Sequence, residues 1–473
     1  MSIYVTLWFD TEDYVSPESD DAAKELADIL TSNGVRGTFK LVGEMLRKLE
    51  ERGRKDVIDS LKKHDIGFHT EYHSLHPTVA EYERGKGMEE GASEFEKREG
   101  RGVEEIKRIF GTNPSCYGQP GDSWAPQVYL ALKKLGIPVY LDETHFVDVN
   151  GGPFWYCGVL NVVRLTLPKG KIMGINFELG TKGFVEQAKK EFDEAYEKIK
   201  SERSWGIISI YNHPNTLVAQ EFWDVVNFAR GENTPLDQLK HPRLKPKDWV
   251  DAGYRDFEEF VRYMKSKDVV FVTASDLLKI FGDRAQSALF SVEGLASSLK
   301  PELISWREVE GTFLSASEIF WLVVHALASY SENKKLPSRV LNRYPLGPFS
   351  PFQSEGLPEV SIEEFLSSCA TTRDFLETEG RIPDSVQVGK WKISPKDFLS
   401  TATMVLRQLA RGESPQNVKV IEGVFEPAAH ISYEGAKAAW EWVIFPEGFE
   451  AWDLVELAKL QAWTLKPAEP SQA

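Results

Sequence analysis

Three of the nine histidines in this chain of 473 residues fall within eight positions, in the stretch Gly67-Phe68-His69-Thr70-Glu71-Tyr72-His73-Ser74-Leu75-His76-Pro77. His69 and His73 stand four apart, so one turn of helix or a curled loop can aim both imidazoles at one point, which is the geometry of a two-histidine metal clamp. The H-E-x-x-H spacing of zinc proteases does not hold, because Glu71 comes two residues after His69 and would lie on another face of a helix. A third ligand therefore has to come from elsewhere. The competing reading is a polar surface loop that happens to carry histidines.

The elements that must position these side chains alternate in type. Residues 3–9 are rich in aromatic and β-branched side chains and predict a buried strand ending at Asp10. A helix over about 21–32, a strand over 37–42 and a helix over about 44–63 lead to Asp65-Ile66-Gly67-Phe68, a third strand that runs into the histidines. Farther on, 104–110 reads as helix, 114–117 as strand, 126–135 as helix, and 138–141, 206–211 and 269–273 as strands. Such alternation predicts a parallel sheet or barrel, in which chemistry gathers at the carboxyl ends of the strands. At those ends stand Asp10, Glu12 and Asp13, then His69 and His73, then Gln119-Pro120-Gly121-Asp122, then Asp142 and Glu143, then Asn212-His213-Pro214. A carboxylate cluster, a histidine pair and a lone histidine would share one rim.

Composition narrows the class. Apolar residues at 42% and charged residues at 27% make an ordinary globular balance, and the length suggests two or three domains. A net charge of -16 with no basic stripe argues against nucleic acid or an anionic membrane as partner. The longest apolar run, 319–328, is interrupted by His325 and is about half a membrane span. Three cysteines (Cys116, Cys157, Cys369) cannot make a disulfide framework, and no basic leader precedes the first strand; both point to the cytoplasm.

The segments Phe9-Asp10-Thr11-Glu12-Asp13, His69-Thr70-x-x-His73, Tyr117-Gly118-Gln119-Pro120-Gly121 and Ile210-Tyr211-Asn212-His213-Pro214 resemble, in order and spacing, the motifs of polysaccharide deacetylases of carbohydrate esterase family 4. The resemblance covers about residues 3–280. It implies a distorted (β/α) barrel of seven strands, and metal-dependent hydrolysis of the acetamide on an N-acetylated sugar. Carried over by position, Asp10 is the general base, Glu12 or Asp13 joins His69 and His73 in holding a divalent metal, and His213 is the acid that protonates the departing amine. Two imidazoles and a carboxylate suit zinc, cobalt or a similar ion. The chain departs from the family at Gln119, where the resemblance expects an arginine paired with the base; losing that cation would leave Asp10 more basic, or leave Gln119 as a hydrogen-bond donor. Asp142, in a loose match to a fourth motif, is the expected orienter of His213.

Each of these residues also has a structural reading. Asp10 and Asp13 could cap the following helix. His213 could be a bonded loop residue, His76-Pro77 a turn, and His145 has no motif behind it. Trp124 and Trp155 could floor a sugar site, although tryptophan more often packs the core.

Beyond residue 285 the pattern changes, with 286–310 reading as a connector. In 311–473 a unit recurs: Ser315-x-x-Glu318 with Leu336-Pro337-x-x-Val340, Ser361-x-x-Glu364 with Ile382-Pro383-x-x-Val386, and Ser394-x-x-Asp397 with Ser414-Pro415-x-x-Val418, the serine lying 22, 22 and 21 residues before the proline. Each unit opens like a capping box, and a single one cannot bury its helix face, so the copies should stack. This stretch resembles the pseudomurein-binding repeat of archaeal cell-wall proteins, which implies a glycan-binding module; a small helical packing domain, or a dimerisation domain that makes a homo-oligomer, is the alternative. Trp440, Trp442, Trp452 and Trp463 could stack on sugar or build core, and core is the favoured reading. The sequence thus leads to an α/β chain, a distorted (β/α)7-type barrel at 1–285 followed by a mainly helical repeat domain. The expected activity is zinc-dependent removal of acetyl groups from an N-acetylated carbohydrate. The alternatives are a deformylase or allantoinase-like amidase, and a catalytically silent carbohydrate-binding protein.

Overall fold

The computed structural model describes residues 2–142, 146–163, 166–167, 170–171, 179–202 and 204–471, so Glu143 and His145 lie outside the described residues. The strands of the N-terminal half are β1 (Ser2–Thr11), β2 (Thr38–Leu41), β3 (Asp65–Phe68), β4 (Cys116–Tyr117), β5 (Val139–Asp142), β6 (Phe154–Tyr156), β7 (Val159–Val163), a separate small hairpin of β8 (Thr166–Leu167) and β9 (Gly170–Lys171), β10 (Trp205–Asn212) and β11 (Val270–Phe271). Seven of them run parallel in the order β10-β1-β2-β3-β4-β5-β7, and β6 follows antiparallel on β7. This is the distorted (β/α)7-type barrel expected, curled rather than fully laddered.

Side-chain alternation sorts the sheet into two faces. Val5, Leu7 and Phe9 of β1 join Phe39 and Leu41 in the large cluster that the surrounding helices cover, while Trp8, Cys116, Val139, Leu141, Leu160 and Val162 form a separate cluster on the opposite, inner face. The expected last strand shrinks to β11, which pairs with β1 at Tyr4 and Val5; β2 takes up pairing with β1 from Trp8 onward. The helix expected at 44–63 is two, Gly43–Glu51 and Lys55–Leu61, broken at Arg52-Gly53-Arg54, where Gly53 takes a positive φ. The short helix expected at 104–110 is the end of a long one, Met88–Phe110.

Four serine N-caps order the C-terminal region: Ser291, Ser315, Ser361 and Ser394 each accept the N–H three residues on, opening the helices Val292–Ser298, Ala316–Asn333, Ile362–Glu379 and Pro395–Ala410. The strand Leu289–Ser291 pairs antiparallel with Arg339–Leu341, and Glu359–Ser361 pairs in the same way with Asn417–Lys419. Between the two helices of each set lies a hairpin, Arg307–Val309 with Thr312–Leu314 in the first and Val386–Val388 with Trp391–Ile393 in the second. One topology, strand–helix–hairpin–helix–strand, thus occurs twice, starting inside the stretch expected to be a connector. The first cap escapes a search for serine followed by an acid because Gly294 stands where the acid would be; Glu310 from the hairpin turn accepts the Ser291 N–H instead.

The remaining stretch does not stay with these helices. Ile431, Ala436, Ile444, Phe445, Leu454, Val455 and Leu465 belong to the barrel's own cluster, and the strand Lys466–Pro467 adds antiparallel to β6. The chain therefore leaves the barrel after Phe281, builds the helical module, and returns. Lys466 ties the three parts together, its buried Nζ lying 2.8 Å from Asp283 and 2.9 Å from Glu318.

Candidate functional site

His69 and His73 sit on a curled loop after β3, not on a helix. Thr70 and His73 both take positive φ (68° and 59°), an uncommon conformation for residues with a side chain that needs support from the surroundings. That support comes from neighbouring backbone: the N–H groups of Gly43 and Glu44, at the start of a helix, donate to the carbonyls of Thr70 and Glu71. Glu71 turns away from the histidines, its carboxylate 2.6 Å from Arg47 and its N–H donating to Glu99.

The two rings meet at Glu12. Glu12 Oε2 lies 2.9 Å from His73 Nε2 and 3.5 Å from His69 Nε2, and the three ligand atoms of the group lie within 4.8 Å of one another. The outer nitrogens fix the tautomers. His69 Nδ1 lies 2.9 Å from the Gly118 carbonyl, which can only accept, so Nδ1 carries the proton. His73 Nδ1 lies 2.7 Å from Ser74 Oγ, whose own hydroxyl donates to Asp224 at 2.9 Å, so this nitrogen is the donor as well. Both Nε2 lone pairs are left facing a carboxylate, and among the described residues neither Nε2 makes a hydrogen bond. Lone pairs converging on an anion repel each other unless a cation lies among them, so this donor set fits a divalent metal. Trp223 steadies the other Glu12 oxygen through its indole N–H at 3.2 Å. Asp13 faces the helix behind it: its carboxylate accepts from the Val15 and Ser16 N–H groups and the Ser19 hydroxyl.

Asp10 stands beside this group, with Oδ1 3.9 Å from His69 Nδ1 and Oδ2 3.6 Å from His213 Nε2. Its cation is Lys40, fully buried on β2 in register with Asp10, with Nζ 2.8 Å from Asp10, 3.0 Å from Asp142 and 4.2 Å above the Trp8 ring. Gly118 makes room for that ammonium, since a Cβ there would stand 1.9 Å from Nζ. The cation expected of Gln119's position thus arrives from a neighbouring strand. Gln119 accepts from the Tyr140 hydroxyl and donates to the Gly121 carbonyl. Asp142, expected to orient His213, pairs with Lys40, and His213 Nδ1 has no hydrogen-bond partner among the described residues. His213 is held by edge contacts with Tyr211 and Phe222 and is the most exposed of the group, at 16% of its side chain.

Charge follows this layout. Burial would raise the Asp10 carboxyl, but Lys40, then His69 and His213, outweigh it and hold the group below its ordinary range. Burial is likewise overcome at Glu12, chiefly by His73, and its carboxyl lies well below the usual value. Burial draws His69 down, whereas at His73 the carboxylates of Glu12 and Asp224 overcome burial and draw the ring up.

Sequence reasoning missed Lys40, Ser74, Trp223 and Asp224. Lys40 had a signal, a lysine alone in the apolar strand Thr38-Phe39-Lys40-Leu41; the others had none. His76 bonds Glu81 and the Phe228 carbonyl, as a turn residue would. Trp124 stacks on Phe146 in the outer core and Trp155 packs in the inner cluster, so neither floors the site. Among the described residues no helix is long and apolar enough to cross a membrane.

No protein-family model matches this chain, and no curated protein does. Solved structures do. One is the Xyl-CE4 domain of a multidomain xylanase from the hindgut metagenome of Trinervitermes trinervoides, at 13% identity, covering 59% of this chain and 90% of that one, with a TM-score of 0.32. A peptidoglycan N-acetylglucosamine deacetylase matches at 15% identity over 57% of this chain and 85% of its own, with a TM-score of 0.32. The Puue allantoinase matches at 11% identity over 58% and 88%, with a TM-score of 0.37.

Proposed function

We propose that this chain is a metal-dependent hydrolase that removes the acetyl group from an N-acetylated sugar. The observation that carries the reading is the meeting of Glu12, His69 and His73 through atoms within 4.8 Å of one another, with Asp10 on Lys40 at one side and His213 at the other. Glu12, His69 and His73 would hold the ion, zinc being the best suited to two imidazoles and a carboxylate. When bound, a divalent cation supplies polarisation of the amide carbonyl and acidifies a water. Asp10, kept ionised by Lys40, accepts the proton of the attacking water, and His213 Nε2 gives one to the departing nitrogen. Acetate and a free amine result. The Lys40 pair also supports turnover over the silent reading, because the base retains a cationic partner although Gln119 replaces arginine.

Elemental analysis of the purified protein and acetate release from N-acetylated sugars test the reading. His69→Ala or His73→Ala should lose metal uptake, while His213→Ala should keep the metal and lose about 10²-fold or more in kcat. Formate or a ureide product in place of acetate would move the chain to the amidase alternative. An unchanged rate in His213→Ala would remove the proposed acid.

A further inference from the structure

Arg307 opens the first hairpin of the helical module opposite Leu314, and Val386 opens the second opposite Ile393. Both hairpins close over a two-residue turn, Glu310-Gly311 in one and Gly389-Lys390 in the other, so the two positions correspond. The twin position is a buried valine in the module's core, whereas the first unit places a guanidinium there. Of its nitrogens, Nη1 donates to the Trp306 carbonyl at 3.3 Å. Nε and Nη2 are shut off from solvent and have no hydrogen-bond partner among the described residues. Those two form one edge of the guanidinium, the parallel N–H pair with which arginine grips an anion. Charged donors withdrawn from water without an acceptor are costly.

Against Arg307 lies a cavity of about 10 Å³, room for a single particle of about a water's size. Ile319 and Leu399 give it apolar walls, Lys300, Ser305 and Thr403 line it as well, and no carboxylate does. Two cations and two hydroxyls all offer protons, so the lining suits an anion, while a water would satisfy the N–H groups and leave the charge unmatched. The volume excludes phosphate, sulfate and organic acids. We infer that this cavity is a halide site, in which one chloride rests on the Nε–Nη2 edge of Arg307. Ile319 lies on the helix Ala316–Asn333 of the first unit, and Leu399 and Thr403 on Pro395–Ala410 of the second, so the ion joins the two units where they meet. Arg407, on that second helix, fixes the loop bordering the cavity by donating to the Leu299 carbonyl at 2.5 Å.

The test uses the metal-free full chain, so that chloride has no ion to bind at the candidate active site. Crystals grown in sodium bromide should show an anomalous peak within hydrogen-bond reach of Arg307 Nε and Nη2. In solution the protein should broaden the chloride NMR line, and Arg307→Val should weaken the binding so measured about tenfold or more. That variant carries the residue its twin position already accommodates, and should keep the parent's circular dichroism. If it does not, Lys300→Ala, on an exposed position, decides, and should weaken chloride binding severalfold. A water in place of bromide beside Arg307, or chloride broadening unmoved by a folded Arg307→Val or by Lys300→Ala, would overturn the site.

Discussion

An ammonium group taken out of water carries a large desolvation cost, so a lysine with no exposed surface must be matched by anions in good geometry. Lys40 has two, Asp10 and Asp142, and also donates to the Leu141 carbonyl at 2.9 Å. Removing it would leave two buried carboxylates facing each other across the gap. Lys40→Met should cost about 3–5 kcal/mol, read as a fall in the thermal midpoint, and Asp142→Asn added to it should restore part of the loss. Gln119→Arg should not substitute, because the side chain at position 119 reaches the Tyr140 hydroxyl and the Gly121 carbonyl. A second residue gives a pH signature away from the site. Glu83 is fully buried, neither carboxylate oxygen has a hydrogen-bond partner among the described residues, and burial pushes its carboxyl from 4.5 up to about 8. A raised folded value means that its contribution to stability is intact below about 4.5 and is lost as pH climbs toward 8. Glu83→Gln should therefore raise the thermal midpoint relative to the parent at pH 8, and show no gain at pH 5.

At the scale of elements, six of the seven strands in the parallel order and the two-histidine loop were legible because period-two alternation and four-residue spacing are local properties, whereas β7 was not expected. Ser74, Trp223 and Asp224 were not, since their roles exist only once residues 150 and 211 positions apart are folded together. Lys40 falls between: its strand was read correctly, and only the register with β1 turns a lone lysine into the partner of Asp10. In the helical module the serine caps were legible as a spacing, but the pairing of Leu289–Ser291 with Arg339–Leu341 was not, because strands of three residues leave little pattern. The caps give a direct test. Ser361→Ala removes the acceptor for the Glu364 N–H and the partner of the Glu364 carboxylate, and should cost about 1 kcal/mol in denaturant unfolding.

At the scale of the molecule, a chain divided by sequence pattern at residue 285 is not divided there in space. Residues between Ile431 and Leu465 fill the barrel's outer core, and Lys466 anchors them to both Asp283 and Glu318. A fragment ending at 285 would expose that apolar surface to water, and should be recovered as aggregate or show rapid proteolysis, where the full chain resists. The return path also sets an order in time. On the ribosome the segments that carry Asp10, His69 and His213 are made long before Leu465, so the nascent barrel has to wait, unsealed, through the synthesis of the whole helical module. Maturation of the barrel is thereby governed by translation of the segment that follows the helical module, and slowing the ribosome between those two points should lengthen the interval in which the emerging chain needs a chaperone.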